Sequence, residues 1–247
     1  MKNQQEKWRT IVFKSKPIEF KVWGRYALFT DPVTKTGGEK FSYHIPTYEA
    51  LKGIAKSIYW KPTFIWIIDE VRVINQVRTQ TKGTKPQNYN GGNTLAIYTF
   101  LHNVEYQVKA HFEWNMHRPE LADDRIAPKH QQIAERMLKR GGRQDVFLGT
   151  RDCQGYVEPC KFGSGESVFD NNGELAYALM FHGFDYPDET GENKLETRFW
   201  NPVMVDGVIK FPRPEDCTIK KFVREMEAKV FKPEENFSGL KEEGLES

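Results

Sequence analysis

The chain has 247 residues, 38% of them apolar and 28% charged, with a net charge of +2. That apolar share is enough to bury a core, which excludes a globally disordered chain. The longest apolar run, 64–68, is far too short to span a bilayer, and no apolar stretch near the N-terminus reads as a secretory signal.

In chain order, residues 18–29 read as a strand, with Ile18, Phe20 and Val22 alternating against Glu19 and Lys21. A glycine-containing loop follows, and Pro46 marks the first turn of a helix. Leu51, Ile54, Ala55 and Ile58 fall on one helical face, and Pro62 closes the helix. Residues 64–74 are β-branched and aromatic without Gly or Pro, a strong strand. The polar stretch 79–94, with three Gly and a Pro, reads as a loop. Strands are expected at 95–101 and 104–114. The second is clean: Val104, Tyr106, Val108, Ala110, Phe112 and Trp114 face one way, and Glu105, Gln107, Lys109, His111 and Glu113 the other. A loop carrying Asp123, Asp124 and Arg125 leads to a second helix, opened by Pro128 and stopped by Gly141-Gly142. Another strand starts at 145–149.

Without the 79–101 insertion this order is βαββαβ, the ferredoxin-like pattern of an α+β protein. RNA-recognition modules share it, but so do many unrelated functions. After residue 156 the helical pattern stops. Strands are expected within 175–184 and 196–211, the latter turning at Asp206-Gly207. The division expected is a ferredoxin-like domain at 1–155, a small antiparallel β-rich domain at 156–232, and an acidic tail at 233–247 that frays.

Charge is unevenly spread. Residues 1–62 hold twelve Lys/Arg against five Asp/Glu, 125–151 hold seven against two, and 225–247 hold three against seven. Such patches suit a polyanion binder and equally a solvated surface. Lys129 and His130 sit in the first turn of the second helix, where orphan N–H groups and the positive dipole end welcome a phosphate. Taken alone, such a pair is more often a plain surface feature. Tyr59 falls off the apolar stripe at the end of the first helix, so its hydroxyl could be exposed, although taken alone a tyrosine there is more often an aromatic packing at a helix end. The segment Phe162 to Gly165 could approach a phosphate but lacks a P-loop ending. Asp123-Asp124 is a lone acidic pair. Cys153, Cys160 and Cys217 lack zinc-ligand spacing and fit free thiols of a cytoplasmic protein. No metal or other cofactor is expected.

Specific function enters through a resemblance. GRYALFTDPVTKTGGEK at 24–40, IPTYEALKGIAKSIYWKP at 45–62, GGNTLAIYT at 91–99, YQVKAHFEWNMHRPELADDR at 106–125, CQGYVEPCKFGSG at 153–165 and FPRPEDC at 211–217 are together distinctive. With them the chain resembles the type I-C (Dvulg subtype) members of the fifth Cas family, RAMP-type proteins of CRISPR antiviral systems. The likeness runs from about residue 18 to about 232 and leaves the first 17 residues as an extension. It implies an endoribonuclease that binds the repeat hairpin of precursor crRNA and cuts at its 3′ base. It further implies that the chain remains on the crRNA 5′ handle, beside the backbone and large subunits of the interference complex. The catalytic residues it implies are Tyr59, Lys129 and His130. Tyr59 would orient or deprotonate the attacking 2′-hydroxyl, His130 would act at the leaving 5′-oxygen, and Lys129 would balance charge on the phosphate. Metal-independent attack by the 2′-hydroxyl would leave a 2′,3′-cyclic phosphate and a 5′-hydroxyl. Lys61, Lys109, His111, Arg125, Arg136, Lys139, Arg140 and Arg143 are the candidate RNA contacts. No membrane partner is expected. The alternative is a structural subunit that caps the handle without chemistry.

Overall fold

The structure, a computed structural model, describes residues 13–36 and 38–230. The acidic tail at 233–247 and most of the N-terminal extension lie outside the described residues. The expected alternation produces β1 (Ile18–Ala27), with Ile18, Phe20 and Val22 buried. A short α1 (Pro32–Lys35) and a two-residue β2 (Lys40–Phe41) occupy the loop that follows. The next helix, α2 (Tyr48–Ile58), starts just after Pro46. Thr47 is its N-cap, its hydroxyl accepting from the Ala50 N–H at 3.2 Å. Its buried face holds the expected Leu51, Ile54, Ala55 and Ile58, and adds Tyr48 and Lys52. The strong strand is β3 (Phe64–Val73).

The stretch expected as a loop at 79–94 contains β4 (Thr79–Thr84), paired antiparallel with residues 96–101. Its partner is β5 (Ala96–Trp114), one long strand where the sequence suggested two. Asn103 sits at the expected break with φ 54°, a conformation Asn tolerates, and pairing with β1 continues on both sides of it. A 3₁₀ turn (Pro119–Asp124) leads into α3 (Ala127–Lys139), which has Pro128 in its first turn.

The segment expected as the next strand is mostly a turn. Only β6 (Val146–Phe147) is extended there, and the strand that joins β1 is β7 (Gln154–Pro159). Gly149 explains the difference. It has φ 95°, and a Cβ on it would collide with the Leu28 carbonyl, so the chain turns there. Gly149→Ala should therefore destabilise the fold by about 1–3 kcal/mol in urea unfolding, whereas an unchanged midpoint would mean the turn re-forms without the glycine.

The C-terminal part contains β8 (Glu174–Ala176), β9 (Met180–Asp185), a short α4 (Pro187–Thr190), β10 (Lys194–Trp200), β11 (Val203–Val205), β12 (Val208–Lys210) and β13 (Ile219–Glu225). Asp206 and Gly207 both have positive φ, 47° and 79°, as a type I′ turn requires.

The main sheet runs β6-β7-β1-β5-β3-β12-β11-β8, with β2 and β4 also on β5. Among the described pairings only β2 with β5 is parallel. A second sheet has the order β13-β10-β9. The fold is thus mixed α and β with a mostly antiparallel sheet. Because β12 pairs with β3, residues 203–210 extend the main sheet. The core includes Phe20, Val108 and Phe112 of the sheet with Ile54, Ile58, Ala134 and Leu138 of α2 and α3.

Candidate active site

The ends of α2 and α3 are tied together. Beyond Gly142, at φ 108°, the N–H groups of Arg143 and Gln144 donate to the carbonyls of Ser57 and Ile58. They satisfy the acceptors that the end of α2 would otherwise leave open. Tyr59, the next residue, leaves the helix in an extended conformation. Its N–H donates to the Ala55 carbonyl at 3.1 Å, and its carbonyl accepts from Trp66 Nε1 at 2.8 Å. The backbone that carries the phenol is therefore pinned on both sides.

The phenol is not exposed, as the helical wheel suggested. Tyr59 is 1% accessible and His130 is fully buried. The reason is that Phe64, Phe112 and Trp114 pack around the imidazole, with ring centroids 5.3, 6.4 and 5.7 Å away. Inside this cage Tyr59 Oη lies 2.8 Å from His130 Nδ1. On the other side of the ring, His130 Nε2 lies 2.6 Å from the Asp124 carbonyl oxygen. A carbonyl can only accept, so Nε2 carries the proton. In the neutral imidazole Nδ1 is then bare and accepts from the Tyr59 hydroxyl. His130's own N–H donates to the Ile126 carbonyl, so it is not one of the orphan donors of the helix end.

Asp124 is the residue that sequence reasoning missed. Its Oδ2 is 3.5 Å from His130 Nε2 and accepts a short hydrogen bond from the Thr63 hydroxyl. Burial pushes its carboxyl up, but the bonds from His130 and Thr63 and the nearby Lys61 ammonium outweigh that and hold it below its ordinary value. The available signal was that Asp124 stands six positions before His130, across a Pro-opened helix start. Nothing in sequence placed Thr63 beside it. Lys129 is half-buried on the first turn of α3.

The other predicted contacts divide. Arg136, Lys139, Arg140 and Arg143 are exposed on or just beyond α3. Lys61 is buried, 6% accessible, and belongs with the Asp124 cluster instead of an open phosphate-binding surface. Arg125 is half-buried and donates through Nη2 to the carbonyls of Asn115 and Arg118, so it holds the loop.

Lys109 and His111 point to the face of β5 away from Phe112 and α3. His111 cannot contact RNA there. It is fully buried, with Nδ1 2.8 Å from Asp69 and Nε2 3.1 Å from Glu113. Burial disfavours its charged form, yet these two carboxylates hold its imidazole above the ordinary value. Glu113, despite its own burial, is held down at about 2 by Arg213 and His111. That polar face is covered from outside. The Phe162–Gly165 segment turns the Phe162 and Gly163 N–H groups and the Ser164 and Gly165 carbonyls toward Glu19, Gln107 and Arg72.

The fold that carries this enclosed Tyr–His pair has solved relatives. A crystal structure of a CRISPR-associated protein matches with TM-score 0.72 and 36% identity, covering 85% of this chain and 98% of that one. The fold is therefore that of a CRISPR-associated protein. The profile described as CRISPR-associated protein (Cas_Cas5), of the Cas5d group, matches residues 18–212, and the chain belongs to the Cas5d family, the type I-C form. Two curated relatives are each named CRISPR pre-crRNA endoribonuclease Cas5d. The one from Thermus thermophilus is 33% identical over 155 residues, 58% of this chain and 63% of that protein. The one from Mannheimia succiniciproducens is 39% identical over 64 residues, 26% of this chain and 28% of that protein. The matched stretches thus span less than two thirds of either relative.

Proposed function

We propose that this chain is a metal-independent endoribonuclease of CRISPR defence, acting in the cytoplasm on precursor crRNA. It binds the repeat hairpin, cuts at its 3′ base and stays on the 5′ handle, beside the backbone and large subunits of a type I-C interference complex. The observation that carries this reading is the 2.8 Å contact between Tyr59 and His130, residues 71 positions apart that the family resemblance singles out together. The names of the curated relatives support it.

In this reading the enclosed Tyr59, 1% accessible, becomes exposed when RNA binds, and His130 works behind it. Tyr59 Oη takes the 2′-hydroxyl proton as its own proton passes to His130 Nδ1. The 2′-oxygen bonds to phosphorus, the bond from phosphorus to the 5′-oxygen breaks, and that oxygen takes a proton from water. Lys129 balances charge on the phosphate. His130's place differs from the sequence expectation, because both ring nitrogens are engaged within the chain. An open cleft of about 280 Å³ lined by Trp60, Arg118 and Lys229 adjoins the pair through Phe64 and offers a path for the strand.

We read the strand order β7-β1-β5-β3 with α2 and α3 as a ferredoxin-like core, β4 with the paired residues 96–101 of β5 as its insertion, and 156–232 beyond β7, which crosses the expected boundary at 155, as the β-rich part. The antiparallel directions of those four strands support this.

Arg136, Lys139, Arg140 and Arg143 are the RNA-backbone contacts in this reading. Changing Arg136, Lys139 and Arg140 together to Ala should weaken repeat-RNA binding and lower its salt slope by about one per lost phosphate contact. The cleavage rate at saturation should stay unchanged. Filter binding at several salt concentrations reads this, and an unchanged slope removes α3 from the interface.

The deciding experiment incubates the chain, in EDTA, with labelled repeat RNA and with the same RNA carrying a 2′-deoxy at the cut site. Cutting of the all-ribose RNA alone is the expected result. Tight binding of both with no cutting would establish the structural-subunit alternative, which the enclosure of Tyr59 and His130 favours.

A further inference from the structure

We propose that Asp124 is a positioning residue for the Tyr59–His130 pair: its carbonyl fixes which imidazole nitrogen is bare, and its carboxylate, clamped by Thr63, takes up the charge when His130 accepts a proton. The inference rests on the endoribonuclease reading.

The geometry is one-directional. With Nε2 committed to a carbonyl at 2.6 Å, the imidazole can receive a proton only at Nδ1, and the group placed there is the Tyr59 hydroxyl. Proton uptake makes an imidazolium within an aromatic cage that supplies no ionised group. The rings of Phe64, Phe112 and Trp114 offer only their faces and edges, so an anion must come from elsewhere. Among the described residues the carboxylate next to the ring is Asp124, 3.5 Å from Nε2.

The groups that face the ring are thus Tyr59 from the end of α2 and Asp124 from the 3₁₀ turn. Thr63 and Lys61 lie behind Asp124, in the turn before β3. Thr63 fixes which way the carboxylate points, and Lys61 favours its ionised form. The chain thereby joins a phenol, an imidazole, a carboxylate and a hydroxyl from four separate segments. A purely structural buried histidine needs one acceptor and one donor at its two nitrogens and has no use for the carboxylate.

The test has two arms. Long-range nitrogen–proton spectra of histidine-labelled protein should show His130, assigned with His130→Gln, as the Nε2–H form. The Nδ1–H form would overturn the inference. In single-turnover cleavage, Asp124→Asn should slow cutting on the order of 10²-fold at neutral pH with RNA affinity unchanged. Thr63→Val should act in the same direction and Thr63→Ser should restore the rate. These two variants give the same reading if Asp124→Asn fails to fold. No loss in Asp124→Asn, or a Thr63→Ser variant as slow as Thr63→Val, contradicts the positioning role. If the unsubstituted chain cuts no RNA, the endoribonuclease reading falls by itself, and the spectra still decide the tautomer.

Discussion

Tyr59→Phe should slow cleavage of repeat RNA by roughly 10²- to 10⁴-fold, the range for loss of a positioned acid or base, while RNA affinity stays at the unsubstituted value. The substitution removes one oxygen and keeps the ring, so the contacts with Phe64 and His130 at 5.6 and 5.9 Å survive, and the stability loss should stay within about 1–3 kcal/mol, the cost of one unsatisfied buried acceptor. What is lost is the donor at His130 Nδ1. His130→Ala should reduce the rate to a similar degree, with a stability loss as well, since it leaves a cavity inside the aromatic cage. Because the two act as one proton path, the double variant should be no slower than the slower single one. Independent losses that multiply would mean that each residue meets the RNA separately, and His130 would return to the leaving oxygen. Equal losses in cutting and binding would contradict a chemical role for Tyr59.

The site shows how far sequence carried. The resemblance singled out Tyr59, Lys129 and His130, and the fold brings Tyr59 and His130 to 2.8 Å of each other, while α3 has Pro128 in its first turn as periodicity required. Burial of the pair was not recoverable. A helical wheel places Tyr59 off the stripe of α2, but the wheel ends at Ile58, and beyond it Phe64 of β3 packs on the phenol while Phe112 and Trp114 of β5 pack on the imidazole bonded to it. The same limit misplaced His111. Strand alternation correctly put it opposite Phe112, but that face is covered by the 162–165 segment and by Arg213, which arrive from far along the chain. Period-2 patterning tells one face from the other and does not tell which polar face meets water. In the fold, β4 escaped because its sequence is polar and its stability comes from pairing with β5, and β7 escaped because Gly149 turns the chain at a point fixed by the Leu28 carbonyl.

A second large effect is expected far from the pair. Arg198 is 1% accessible and lies inside the second sheet. It donates from Nη1 to the Phe184 carbonyl at 2.7 Å and, by a short bond, to Asp185, and from Nε to His182 Nδ1 at 3.3 Å. The other nitrogen of His182 donates to the Pro212 carbonyl at 3.1 Å, so the imidazole is neutral and cannot balance the guanidinium. Burial, reinforced by Arg198, depresses it to about 3.

Asp185 is thus the anion that makes Arg198 tolerable, and Asp185→Ala should cost about 3–5 kcal/mol in urea unfolding, as breaking a buried pair from one side does. Arg198→Met should cost less, because the remaining carboxylate keeps Lys220 at 2.8 Å, on the more exposed strand β13. His182 gives the same unit a pH dependence. Its folded value lies below the unfolded value of about 6.5, so the unfolded chain binds the extra proton. Its contribution to stability is complete above that value and is lost as pH falls toward about 3. His182→Gln should therefore flatten the loss of stability between pH 6.5 and 4 in thermal melts, and an unchanged slope would assign the acid sensitivity to the carboxylates. The unit matters to the site because Tyr48, at the start of α2, stacks on His182 with ring centroids 4.2 Å apart. The helix that ends in Tyr59 is anchored at its other end to this buried charge pair.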